Sequence, residues 1–138
     1  MLILRYSKPT TMNVMINKAR HNKFTSAGCK KRETERARKE TLQQTKIQLP
    51  NCKLFLAWDI SYARSNSDPD NQNGCIKPIL DGMQAAKLLT NDDFKVIQPT
   101  MFFYYTKMPS KQQRVVCTIF MDSDSYIAHI VNNLKRLE

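Results

Sequence analysis

Residues 53–62 read "KLFLAWDISY", and the reading of this decade decides the fold. Leu54, Leu56, Trp58, Ile60 and Tyr62 recur at a period of two, which puts large apolar or aromatic side chains on one face of a β-strand. A strand loaded in this way needs neighbours to pair with and a layer to pack against. Toward the N-terminus, Met1–Tyr6 reads as a short opening strand, and Ser7–Thr25 as an irregular polar stretch gathering Lys18, Arg20, His21, Asn22 and Lys23. Ser26 to about Thr45 is rich in Lys, Arg, Glu and Gln and reads as a helix, with Thr25 or Ser26 as its N-cap. Its apolar stripe is thin (Ala27, Ala37, Leu42), which leaves one face for solvent or for phosphates.

Toward the C-terminus, about Lys77–Leu89 reads as a helix burying Leu80, Met83 and Leu88, with Pro78 in its first turn. Ile97–Tyr105 and Arg114–Met121 are β-rich and separated by the turn-like "KMPSKQQ", so they are expected to form a hairpin. Asp124–Leu137 reads as an amphipathic helix with Ile127, Ile130, Val131 and Leu134 toward the core. The expected fold class is therefore α/β (α+β): a single domain over residues 1–138, a mixed β-sheet with flanking helices, in the order β-α-β-α-β-β-α.

Composition narrows the class. The chain has 138 residues, the length of one domain with a real core, and its 41% hydrophobic content is too high for a disordered chain. Apolar runs such as "LFLAW" are far too short to span a bilayer. The opening "MLILRYSKPTT" has no basic lead, so it reads as a strand rather than a secretion signal. Cys29, Cys52, Cys75 and Cys117 are scattered, and His21 and His129 stand alone. That spacing argues against structural zinc and for reduced thiols in a cytoplasmic protein.

Charge is uneven. The net is +10, but residues 1–50 carry 12 Lys/Arg against 3 Asp/Glu, a net of +9, while residues 51–138 carry 10 against 9, a net of +1. A solubilising surface would account for this. So would a polyanion held by the basic half and acted on near the other.

The second half gathers its carboxylates in "SDPDNQNGCIKPILDGMQAAKLLTNDDF", residues 67–94. Pro69 biases Asp68 toward extended backbone, where residues two apart point the same way, so Asp68 and Asp70 are expected to aim at a common point. Two carboxylates about 5 Å apart repel by roughly 3 kcal/mol at an effective dielectric of 20. A divalent cation between them removes that cost, and oxygen-only ligation suits Mg²⁺ or Mn²⁺. Asp92, after the following helix, is the acid expected to return beside them, with Lys77 as a further positive charge.

Plainer readings compete. "DPDNQNG" is made of turn formers. It is not an EF-hand loop, because counting from Asp68 puts Asn73 and Ile79 where Gly and Glu are required. Lys77 and Asp81, four apart on a helix, make an ordinary surface ion pair.

Asp68-Pro69-Asp70-Asn71, then Lys77, "ILDGMQ" and Asn91-Asp92, together with "KPTTMNVMINKARHNKF" and "CKKRET" upstream, resemble the RusA family of Holliday junction resolvases, particularly phage and prophage members. The resemblance runs from about Lys8 to Phe120. It implies a homodimeric, Mg²⁺-dependent endonuclease (Mn²⁺ as a substitute) that makes paired nicks in opposed strands of a four-way DNA junction, in DNA recombination and repair. By motif position it implies Asp68, Asp70 and Asp92 as metal-binding catalytic acids, Lys77 as the catalytic lysine, and Asp93 as a supporting metal candidate.

The basic segment is then expected to bind DNA through Lys18, Arg20, Lys23, Lys30, Lys31 and Arg38, by phosphate contacts that are sequence-independent and salt-sensitive. A two-fold protein also suits the approximate two-fold symmetry of the junction. One departure carries its own expectation: "NQNGCI" separates Asp70 from Lys77, with Gly74 inside it and Pro78 following, so a helix starting after Asn71 should be kinked or frayed. The alternatives are a less selective nuclease of branched or flapped DNA and a non-catalytic nucleic-acid-binding protein.

Overall fold

Four strands build one mixed sheet: β1 (Leu2–Ser7), β2 (Leu54–Tyr62), β3 (Ile97–Lys107) and β4 (Arg114–Phe120), ordered β1-β4-β2-β3. The computed structural model describes residues 1–21 and 23–137; for residues 12, 13, 15, 21 and 23–26 only the backbone course is described. The helices are α1 (Met12–His21), α2 (Lys23–Gln44), α3 (Pro69–Asn73), α4 (Ile76–Ala85) and α5 (Ser123–Lys135). None of them is long and apolar enough to cross a membrane.

β2 is the strand its alternation predicts, and it lies inside the sheet. It pairs antiparallel with β4 (Trp58 opposite Cys117) and parallel with β3 (Trp58 opposite Phe103). Leu54, Leu56, Trp58 and Ile60 are fully or almost fully buried in the main core, while Tyr62 at the strand end is half-buried. Register slips between Leu54 and Leu56, where the β3 partner jumps from Ile97 to Met101. Pro99 lies in that jump and has no N–H to give to a ladder.

The expected β3–β4 hairpin does not form, because β2 lies between the two strands. The local sequence does reverse the chain, but the six residues 108–113 are long enough to cross the end of a strand. The connection, with a 3-10 turn at Ser110–Gln112, is fastened to that end: Met108 N–H donates to the Tyr62 carbonyl at 2.9 Å and Arg114 N–H to Ser61 Oγ at 2.7 Å.

Three helix expectations also need correction. Residues 12–21 form α1 rather than an irregular stretch, and α2 begins at Lys23, so Thr25 and Ser26 lie inside it rather than capping it. The buried ridge of α2 is Cys29, Glu33, Ala37 and Thr41, one residue per turn, while Ala27 is exposed and Leu42 half-buried. Two of these are polar and are satisfied internally: Glu33 accepts from Thr10 N–H at 2.6 Å, and the Tyr6 and Thr41 hydroxyls hydrogen-bond at 2.8 Å. In α5, Tyr126 and Asn133 are buried and Ile130 partly so, whereas Ile127, Val131 and Leu134 are exposed. Tyr126 anchors the helix by stacking its ring 4.9 Å from Phe55 and 5.9 Å from Phe120.

α2 and α4 pack on one face of the sheet with a very close crossing. A Cβ on Gly82 would lie 2.5 Å from the Ala37 Cβ and 2.8 Å from the Arg38 backbone nitrogen. Glycine is required there by proximity, since its backbone is helical. Gly82→Ala should therefore destabilise the fold by about 1–3 kcal/mol through overpacking, although alanine is the better helix former. Urea unfolding of the two proteins checks this.

Candidate functional site

The chain leaves β2 at Tyr62 and turns into α3, whose N-cap is Asp68. Asp68 has the extended backbone expected before a proline (φ −87°, ψ 132°). Pro69 then occupies the first helical position, where its fixed φ suits a helix and its missing N–H costs nothing. Asp70 is thus helical, and the strand alternation expected to align it with Asp68 does not apply. Both carboxylates are exposed; Asp68 makes no capping bond, and Asp70 accepts from the adjacent Asn71 N–H at 3.0 Å.

α3 and α4 are one helical path with a break in it. Gly74 and Cys75 keep helical dihedrals, yet the hydrogen-bonded helix stops at Asn73 and resumes at Ile76. The carbonyl of Gly74 is the one Pro78 would have bonded, and Pro78 has no donor. The break matches the fraying expected from Gly74 and Pro78. Lys77 follows it, in the first turn of α4.

Lys77 Nζ lies 2.8 Å from Asp81 Oδ1 and 3.1 Å from Asp92 Oδ2. The i,i+4 pair is the one expected on the helix; the second contact joins residues 15 apart. The Asp81 and Asp92 hydrogen bonds hold the Lys77 ammonium above its ordinary pKa. For Asp92, partial burial pushes the carboxyl up, but the hydrogen bond and charge of Lys77 and the nearby Asp81 outweigh it, leaving Asp92 below the ordinary carboxylate value. Asp93 does a different job. Its Oδ1 accepts from Lys95 N–H and its Oδ2 from Asn91 Nδ2, and its carbonyl accepts from Val96 and Ile97, so it builds the turn into β3.

Lys77, Asp81 and Asp92 are therefore brought together. Asp68 and Asp70 stand apart from them in bonding, and among the described residues no three His, Cys, Asp or Glu side chains are grouped to hold a metal. Of the expected DNA contacts, Arg20, Lys30 and Lys31 are exposed. Lys18 donates to the Cys29 thiol at 3.4 Å, and Arg38 is paired with Glu35 at 2.6 Å. The side chain of Lys23 lies outside the described residues.

Sequence reasoning missed the surroundings of α3. Two adjoining cavities of about 250 and 420 Å³ share Ser67 and Gln72 as lining; the first is bounded by Pro69 and Tyr105, the second by Lys8 and Arg64. Lys8 donates to the Ser61 carbonyl at 2.7 Å and to Gln72 Oε1, tying β1, β2 and α3 together, and burial lowers its pKa. The Tyr105 hydroxyl donates to Asn73, and its phenol is pushed up by burial and by the charge of Asp70. A lone lysine after a strand carries no pattern that would have marked it.

The Lys77–Asp92 pair has a pH signature. With its folded pKa depressed, Asp92 contributes stability that is present above the ordinary carboxylate value and lost as pH falls through the folded value. The pair is partly solvated, so the contribution is about 0.5 kcal/mol or less. In Lys77→Ala the Asp92 carboxyl should titrate at higher pH than in the parent, read by carboxyl-carbon NMR. Compared with known proteins, the chain matches no family model and no curated sequence.

Proposed function

We propose that this chain is a Mg²⁺-dependent, structure-specific endodeoxyribonuclease that resolves four-way DNA junctions by paired nicks in opposed strands. The reading belongs to DNA recombination and repair of a phage or prophage, with the protein cytoplasmic in a bacterial host or nucleoid-associated. The observation that carries it is the 3.1 Å contact between Lys77 and Asp92, which joins two parts of the acidic segment 15 residues apart. The exposed cations Arg20, Lys30 and Lys31 support a phosphate-contacting surface, and Lys8 and Arg64 add positive charge beside α3.

The donor chemistry fits a hard cation. Asp68 and Asp70 offer exposed carboxylate oxygens outside the ion pairs described, and Mg²⁺ is commonly held by one or two carboxylates with waters and substrate phosphates completing its shell. Bound there, it would lower the pKa of a water and neutralise charge on the scissile phosphate. Lys77 holds Asp92 ionised and offers an ammonium to a phosphate oxygen, and Asp92 is the acid that could take a proton or join the cation. Asp93, occupied in its turn, is a supporting residue at most.

The exposed flank of α5 supports a homodimer. Ile127, Val131 and Leu134 lie along it, with Asp124 near its start and Lys135 at its end. An antiparallel two-fold pairing would set Ile127 against Leu134 of a second copy and Asp124 against Lys135, so the apolar and charged parts complement themselves. Light scattering should give a dimer at micromolar concentration and a monomer for Val131→Asp; a monomeric parent would remove the dimer.

The activity test uses a labelled junction, a flap and a plain duplex, with and without Mg²⁺. Paired Mg²⁺-dependent nicks are expected in the junction alone, lost in Asp70→Asn while binding persists. Equal cutting of all three substrates would leave an unselective nuclease. Binding without nicking under any metal would leave a nucleic-acid-binding protein.

A further inference from the structure

α5 covers only part of the sheet face opposite α2 and α4. Beside it lies a cavity of about 360 Å³, floored by the sheet and walled by the helix. Three arginines from distant parts of the chain line it: Arg5 of β1, Arg114 of β4 and Arg136 just past α5. The β1–β4 register pairs Arg5 with Val116 and Ser7 with Arg114, so Arg5 and Arg114 are diagonal neighbours on one face.

Among the described residues one carboxylate lines the cavity with them. Asp59 pairs with Arg114 at 3.3 Å and accepts from Thr106 Oγ1 at 2.7 Å. Arg5 and Arg136 are in no ion pair among the described residues. Opposite them, His129 and Asn132 present neutral polar groups from α5.

We infer that this cavity binds a phosphate group, free on a small molecule or carried by a nucleic-acid chain. Guanidinium forks match phosphate oxygens in bidentate geometry, and a multiply charged anion suits two arginines that have no ion pair among the described residues, beside a third. The volume exceeds what one phosphate fills, leaving room for the sugar or base attached to it. Burial and the Arg136 charge lower the His129 pKa, so the ring senses this guanidinium and will sense an anion laid against it. The inference stands apart from the nuclease reading, because none of the residues proposed for catalysis lines the cavity.

The probe is inorganic pyrophosphate, followed by titration calorimetry and by the His129 ring resonances. In the parent, pyrophosphate should bind and move the His129 signals. Arg5→Ala with Arg136→Ala should weaken binding by about tenfold or more. Lys46→Ala with Lys95→Ala, which removes the same charge from exposed sites elsewhere, should leave it within about twofold. A parent whose His129 ring ignores pyrophosphate would overturn the inference, as would a lysine double variant that loses as much as the arginine one. A short oligonucleotide that displaces pyrophosphate from His129 would assign the site to nucleic-acid phosphate. One that binds while pyrophosphate stays in place would assign it to a free phosphorylated molecule.

Discussion

Parallel pairing between β2 and β3 is the constraint from which the rest follows. Parallel neighbours need a crossover that carries the chain from the end of one strand back to the start of the next. Here residues 63–96 make that journey and contain all of the clustered aspartates. Asp68 and Asp70 lie where the chain leaves the far end of β2. Asp92 lies where it approaches β3, whose first residue Ile97 pairs with Leu54 at the near end. α4 joins the two ends, and Lys77 reaches from its first turn to Asp92. The crossover thus carries Asp68 and Asp70 near its start and Asp92 near its end, and the Lys77 contact brings Asp92 back beside the start of α4.

The crossover is held to the sheet by a contact that tolerates almost no variation. With Gly82 against Ala37, α4 lies nearly backbone to backbone on α2, which in turn hydrogen-bonds β1 through Thr41 to Tyr6 and through Gln44 to Arg5. α4 is terminated just past its C-cap Ala86 by Lys87, whose φ of 63° is the left-handed conformation normally left to glycine, with Leu88 N–H returning to the Met83 carbonyl at 3.0 Å. That termination buries Leu88 and Leu89 and turns the chain toward Asp92. The position of Asp92 therefore depends on a helix crossing and a strained cap well away from its own side chain.

What could be read from the sequence was local. The alternation of β2, the apolar face of α4 at Leu80 and Met83, the Lys77–Asp81 pair and the break between Gly74 and Pro78 all follow from spacing and backbone chemistry over a few residues. What could not be read was which surface each element meets. "KMPSKQQ" specifies a reversal, but whether a third strand enters between the two arms is decided by β2, some 50 residues earlier. The periodicity of α5 marks Ile127, Val131 and Leu134 as one face, yet Tyr126 wins the sheet, because an aromatic ring between Phe55 and Phe120 buries more area than an aliphatic chain. In α2 the core ridge was hidden because Glu33 and Thr41 look like surface residues until their partners on other segments are known. No spacing rule over a few residues would have paired Lys77 with Asp92, 15 residues further on.

The same limit applies to charge. Counting by halves assigns the basic character to residues 1–50, but some of its cations are engaged internally: Arg38 with Glu35, Arg36 with Glu40, and Lys18 with a thiol. The arginines that converge on one cavity come from both halves, because β1 and β4 are neighbours in the sheet and α5 folds back over it. A nearly neutral second half thus contributes two of three guanidiniums to one face and the carboxylates to the crossover on the other. Sheet order, rather than position along the chain, decides which charges become neighbours: Arg114 of β4 meets Asp59 of β2 on one face, and Lys77 meets Asp81 and Asp92 on the crossover at the other.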